Sequence, residues 1–186
     1  TQVTLTVLRA DGTTGVFTLI RREVPIPNTT VELLPTGQGY ILCDSFGDDT
    51  TVHFTEGITE YDGQAESWVV DLRANPGGTA QASATASAYF TGPGVLVYFR
   101  DGAGNVNYTF APGGFQRLTE KQALVLTSPY SASGSELFAA TLRDYGVGTL
   151  MGSRTFGKGV AQMLLTDELY PDCFPDGDAL KVTTYR

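Results

Sequence analysis

The chain has 186 residues, 41% of them hydrophobic and 17% charged, which is enough apolar content to bury the core of one globular domain. A formal net charge of -8 and three scattered lysines, Lys121, Lys158 and Lys181, exclude a nucleic-acid backbone as partner, because phosphate binding needs clustered cations. No apolar run is long enough to cross a bilayer and no leader pattern opens the chain, so membrane contact is expected only through segments outside it.

In chain order, residues Thr1 to Arg22 read as a β-hairpin: Val3 to Val7 alternates, Asp11-Gly12 supplies the turn, and Val16 to Ile20 returns. A new unit begins after Pro25 and Pro27. Strands are expected at Gly39–Ser45, Trp68–Leu72, Val95–Phe99, Ala123–Thr127, Thr149–Gly152 and Leu180–Thr184, several of them continuous apolar runs of the kind covered on both faces. Helices are expected at Asp49–Tyr61, at the Ala- and Ser-rich Thr79–Phe90, and at Ser135–Tyr145. In the last, Leu137, Ala140 and Thr141 share a face and Gly146 stops the helix in a left-handed cap. Strands alternating with helices predict an α/β layered domain. Both ends fall in strand-like runs, which predicts a piece of a longer protein. Cys43 and Cys173 lie far apart outside any CxxC pattern, so two buried free thiols are expected and no metal site.

Chemistry concentrates between Ala123 and Tyr145, where an apolar strand, a short turn and a helix place Ser133 at the helix mouth. An oxyanion formed there meets free backbone N–H groups and the positive end of the helix dipole. The spacing of Ser133 and Glu136 equally fits a capping box, and the two roles are compatible. A hydroxyl nucleophile needs a base. The single histidine, His53, is isolated on a weak helix, and neither G-x-S-x-G nor S-x-x-K surrounds Ser133. A lysine can serve where burial favours its neutral form, and Lys158 stands between Gly157 and Gly159, which let backbone approach a site closely. Gly152, Gly157 and Lys158 also match part of a P-loop, but Gly159 replaces the required hydroxyl, and residues 159–165 read as a strand rather than a helix.

Three blocks together resemble the carboxyl-terminal processing peptidases, or tail-specific proteases, of peptidase family S41. They are Val69-Val70-Asp71-Leu72-Arg73-Ala74-Asn75-Pro76-Gly77-Gly78, then Ser131-Ala132-Ser133-Gly134-Ser135-Glu136 with Asp144-Tyr145-Gly146, and Thr155-Phe156-Gly157-Lys158-Gly159 with Gln162. The resemblance implies a serine endopeptidase with Ser133 as nucleophile, Lys158 as base and Gln162 orienting the lysine amine. It implies an oxyanion hole of the Gly134 N–H with one from Gly77 or Gly78, a ClpP/crotonase-like layered core, and no metal or organic cofactor. Asp144, near the helix end, and Asp71 with Arg73, at a strand end, read as structural.

The same resemblance makes residues 1–22 the last hairpin of a PDZ domain and residues 23–186 the catalytic core. It further implies polypeptide substrates engaged near their C-termini and an extracytoplasmic bacterial location. Gly134 stands where relatives commonly carry Ala, and a nearly absent PDZ domain implies weak activity for this chain alone. The competing readings are a non-catalytic peptide-binding or scaffold domain of the same fold and a nucleotide-binding P-loop protein.

Overall fold

The computed structural model describes residues 2–22, 27–111, 114–171, 173–174 and 178–186. The opening alternation forms the expected antiparallel hairpin, β1 (Gln2–Leu8) and β2 (Thr14–Ile20), with Val3 opposite Leu19. Its turn is set by Asp11, whose carboxylate accepts the Thr13 N–H at 2.9 Å. The hairpin is a sheet of its own, and its apolar side chains, Leu8 and Ile20 among them, remain exposed. The boundary expected at residue 23, with Pro25 beyond it, lies outside the described residues.

The main sheet has five strands: β3 (Thr29–Leu33), β4 (Gln38–Cys43), β5 (Ser67–Asp71), β8 (Ala123–Thr127) and β9 (Gly148–Gly152), side by side in that order. The β3 edge is antiparallel and the other pairings are parallel. Helices α1 (Thr50–Tyr61), α2 (Ala80–Thr91) and α3 (Gly134–Asp144) follow β4, β5 and β8. Because the parallel strands step in one direction, right-handed crossovers put all three helices on one face.

That layering corrects one expectation. The strands are not buried alike on both faces: Ile41, Cys43, Trp68, Val70, Ala123 and Val125 face the helices and are buried, while Leu42, Val69, Leu124 and Leu126 alternate with them and are half-buried. A run of apolar residues cannot by itself distinguish a strand covered twice from one whose second face is partly open. Two strands lay outside the sequence reading, β3 and β7 (Val106–Ala111). The latter pairs with β6 (Gly94–Arg100) as an antiparallel ribbon. A further ribbon, β10 (Ala161–Thr166) with β11 (Ala179–Tyr185), meets it where Arg100 and Arg186 exchange backbone hydrogen bonds of 2.8 and 3.0 Å.

Phe138 of α3 is the centre of the core. Its ring lies 5.8 Å from that of Phe46, 6.0 Å from Phe54 of α1 and 6.0 Å from Phe90 of α2. Burying such a ring contributes roughly 1.5–3 kcal/mol, and here it locks all three helices to the loop after β4. The face holding Leu137, Ala140 and Thr141 is not the core face. Phe138, Ala139 and Leu142 fill the core, and the expected trio lines a cleft. At the other end, Gly146 takes φ of +71° and the Val147 N–H reaches the Leu142 carbonyl at 3.0 Å, the expected left-handed stop. Of the cysteines, Cys43 is buried and free, but Cys173 is exposed, because it follows β10 on the surface ribbon rather than a core strand.

Candidate active site

The C-terminal ends of the adjacent parallel strands β5, β8 and β9 carry three loops, and a cleft of about 930 Å³ opens beside them. Such strand ends are where open α/β sheets place their sites. The first loop is the Asn75-Pro76-Gly77-Gly78 turn, the second leads to Ser133, and the third carries Lys158.

The first two loops are joined by backbone polar groups. The Asn75 carbonyl accepts the Ala132 N–H at 3.2 Å and the Ser135 hydroxyl at 2.9 Å, and the Ser131 hydroxyl donates to the Leu72 carbonyl at 2.7 Å. Asn75 itself is fully buried: Nδ2 donates to the Cys43 carbonyl at 2.9 Å and Oδ1 accepts the Gly77 N–H at 2.8 Å. Gly77 (φ +106°) and Gly78 (φ +147°) adopt backbone that L side chains rarely reach. A Cβ on Gly78 would fall 2.1 Å from the Phe46 carbonyl oxygen.

Ser133 is the N-cap of α3, with φ of +55° and ψ of -113°. Among the described residues it alone combines a side chain with a positive φ. A strained residue of this kind costs about 1–3 kcal/mol and persists only where its surroundings impose it. The Glu136 arm of the capping box is made, with the Ser133 N–H donating to Oε2 at 2.8 Å. The Glu136 N–H reaches the Ser133 carbonyl at 2.9 Å. With the Ser133 and Gly77 amides engaged, those of Gly78 and Gly134 have no hydrogen-bond partner among the described residues. The two glycines are close: the Gly78 nitrogen lies 3.5 Å from the position a Cβ on Gly134 would take.

The third loop is tied to the second by the Ser153 N–H to the Thr127 carbonyl (3.2 Å) and the Phe156 N–H to the Ser131 carbonyl (3.0 Å). It is also tied by Glu136, whose Oε1 accepts the Gly157 N–H at 2.7 Å and whose Oε2 accepts the Lys158 N–H at 2.8 Å. Burial pushes the Glu136 carboxyl up. Hydrogen bonds from the Thr155 hydroxyl and from the Ser133, Gly157 and Lys158 amides outweigh it, and the group sits below the usual glutamate value.

Of the residues singled out in the sequence, Gly78, Ser133, Gly134, Asp144, Lys158 and Gln162 line this one cleft. Gly77 stands behind Ser133. Gln162, on β10, is exposed and donates to the Thr183 hydroxyl at 3.5 Å. Asp144 pairs with Arg143 at 2.7 Å, and Asp71 holds Arg73 at 2.6 Å, which fixes the turn that follows β5. His53 lies 3.6 Å from Asp49 on α1, away from the cleft lining. The P-loop alternative fails on structure: β10 follows Gly159, and a helix N-terminus to cradle phosphate does not. Sequence reasoning took Glu136 for a helix cap alone, because spacing displays its partner at Ser133 and conceals those at Gly157 and Lys158.

The model of peptidase family S41 matches residues 37–186. A carboxyl-terminal-processing protease of Picosynechococcus is 33% identical over 149 residues, covering 80% of this chain and 34% of the relative. The carboxy-terminal processing protease CtpA of Bacillus subtilis is 29% identical over 191 residues, covering 100% and 38%. The chain thus spans little more than a third of these relatives. Among solved structures, a photosystem II D1 C-terminal processing protease superposes with a TM-score of 0.71 at 27% identity, over 100% of this chain and 51% of that one.

Proposed function

The chain belongs to peptidase family S41, and from that premise we propose that it is the catalytic core of a C-terminal processing endopeptidase working through a Ser133/Lys158 pair. The observation that carries the proposal is the conformation of Ser133: a strained side-chain-bearing residue at the mouth of α3, in one cleft with Lys158 and beside two unengaged amides.

The Lys158 amine takes the proton from Ser133 Oγ as the oxygen attacks a peptide carbonyl. The new oxyanion is received by the N–H groups of Gly78 and Gly134 and by the positive end of α3, since the Gly77 N–H is spent on Asn75. One such donor is typically worth about 3 kcal/mol in the transition state. The amine leaves with the proton from Lys158, and water resolves the ester. Gln162, which lines the same cleft, orients the lysine amine. The substrates are polypeptides engaged near their C-termini, outside the cytoplasm of a bacterium, and the opening hairpin is the end of a PDZ domain.

The test is acylation. Incubation with an activated ester of an apolar peptide should leave a covalent adduct on Ser133, seen by mass spectrometry. Ser133→Ala should give none, and Lys158→Ala should acylate about 1,000-fold more slowly. Equal labelling of all three proteins would refute the pair and favour a scaffold domain.

A further inference from the structure

A helix cap needs only the first-turn amides of its own helix, yet Glu136 does more. Its two oxygens receive the N–H of Ser133, 2.8 Å away, and the N–H groups of Gly157 and Lys158, 2.7 and 2.8 Å away, from a loop 21 and 22 residues further along the chain. Three backbone amides from two separate loops are thus gathered on one carboxylate. The loop it grips has no regular secondary structure from Ser153 to Val160, and most of its residues are exposed. Besides the contacts with Glu136, the backbone bonds that tie this loop to the nucleophile loop and its strand arise at Ser153 and Phe156, both upstream of the lysine.

From this geometry we infer that Glu136 is a positioning residue for the reaction, a carboxylate bridge that fixes the Lys158 backbone against the backbone of Ser133. The inference rests on the Ser133/Lys158 reading and deepens it. One oxygen, Oε2, holds the amide of the nucleophile and the amide of the base at once, so their separation is set through a single atom. The same bridge occupies the Ser133 amide and leaves the oxyanion to Gly78 and Gly134.

Glutamine at this position keeps the length and one acceptor but turns an NH2 toward amides that need an oxygen, so Glu136→Gln breaks the bridge with little change in volume. Backbone amide exchange reads the bridge directly. The Gly157 and Lys158 amides should be protected in the wild type and should exchange at least about tenfold faster in Glu136→Gln. In turnover of the peptide ester, Glu136→Gln should lose about 100-fold in kcat with KM nearly unchanged, the cost of misplacing a reacting group by about 1 Å. Glu136→Asp, which keeps both oxygens, should recover part of the loss. Undiminished protection of Gly157 and Lys158 in Glu136→Gln overturns the bridge. Lost protection with full kcat overturns the positioning role. A wild type inert toward the ester overturns the Ser133/Lys158 reading instead, and exchange still reports on the bridge.

Discussion

Gly77 packs directly on Ser133. A Cβ on Gly77 would stand 2.9 Å from that of Ser133, 2.9 Å from the Gly134 nitrogen and 2.6 Å from the Ala132 carbonyl oxygen, while φ is +106°. Two backbone groups and the nucleophile cannot all give way, so Gly77→Ala should cost about 1–3 kcal/mol in strain and remove activity by displacing Ser133. Gly134 gives the contrast. There the nearest atoms to an added Cβ are side-chain carbons of Phe46 and Ser83 at 3.4 Å, tight but able to adjust, so Gly134→Ala should keep both fold and activity. Melting temperatures and ester turnover of the two variants test the pair of outcomes.

Strain at Ser133 predicts a trade between stability and activity. Glycine adopts positive φ without a Cβ penalty, so Ser133→Gly should be more stable than Ser133→Ala by about 1–3 kcal/mol, although both are inactive. Urea unfolding midpoints of the two variants measure the difference. Equal midpoints would mean that the φ of +55° carries no strain.

Most of the α/β frame was legible because its elements carry local signals: Thr79 before the Ala-rich helix, Gly146 after α3, and alternation in the first hairpin. Strand β3 was not, since Thr29 to Leu33 is short and its buried face holds little besides Val31 and Leu33. That Ser133, Lys158 and Gly78 of the Asn75-Pro76-Gly77-Gly78 turn meet at one cleft was to be expected from the motifs that carry them. The engagement of the Gly77 amide could not be expected, because it depends on where Asn75 Oδ1 points after folding. Nor could the double duty of Glu136, whose second set of partners lies 21 and 22 residues away.

The two thiols should differ sharply in reactivity. Cys43 is 1% exposed, and burial pushes its pKa to about 11, so little thiolate forms at neutral pH, whereas Cys173 is exposed. Titration with a disulfide reagent should therefore count one thiol in the native protein and two in urea. Two fast thiols under native conditions would place Cys43 outside the core.

Asp71 should make stability depend on acid pH. Its side chain is 4% exposed and accepts hydrogen bonds from the Tyr40 hydroxyl at 2.8 Å and from Arg73, whose side chain is 61% exposed. Burial raises the carboxyl, but the Arg73 side chain and amide and the Tyr40 hydroxyl outweigh it, so the folded value lies below the ordinary 3.8. The native state thus prefers the ionised form. Its stabilisation is complete above the ordinary carboxylate value and is lost as pH falls through the depressed folded value. Asp71→Asn removes the charge and should cost about 1–3 kcal/mol at neutral pH, below the range for fully buried pairs because Arg73 is open to solvent. Thermal unfolding of wild type and variant from pH 7 down to the acid limit of folding tests this. The gap in melting temperature should stay constant to near the ordinary carboxylate value and close below it. A gap that persisted at the lowest pH would mean that Asp71 acts through shape and not through charge.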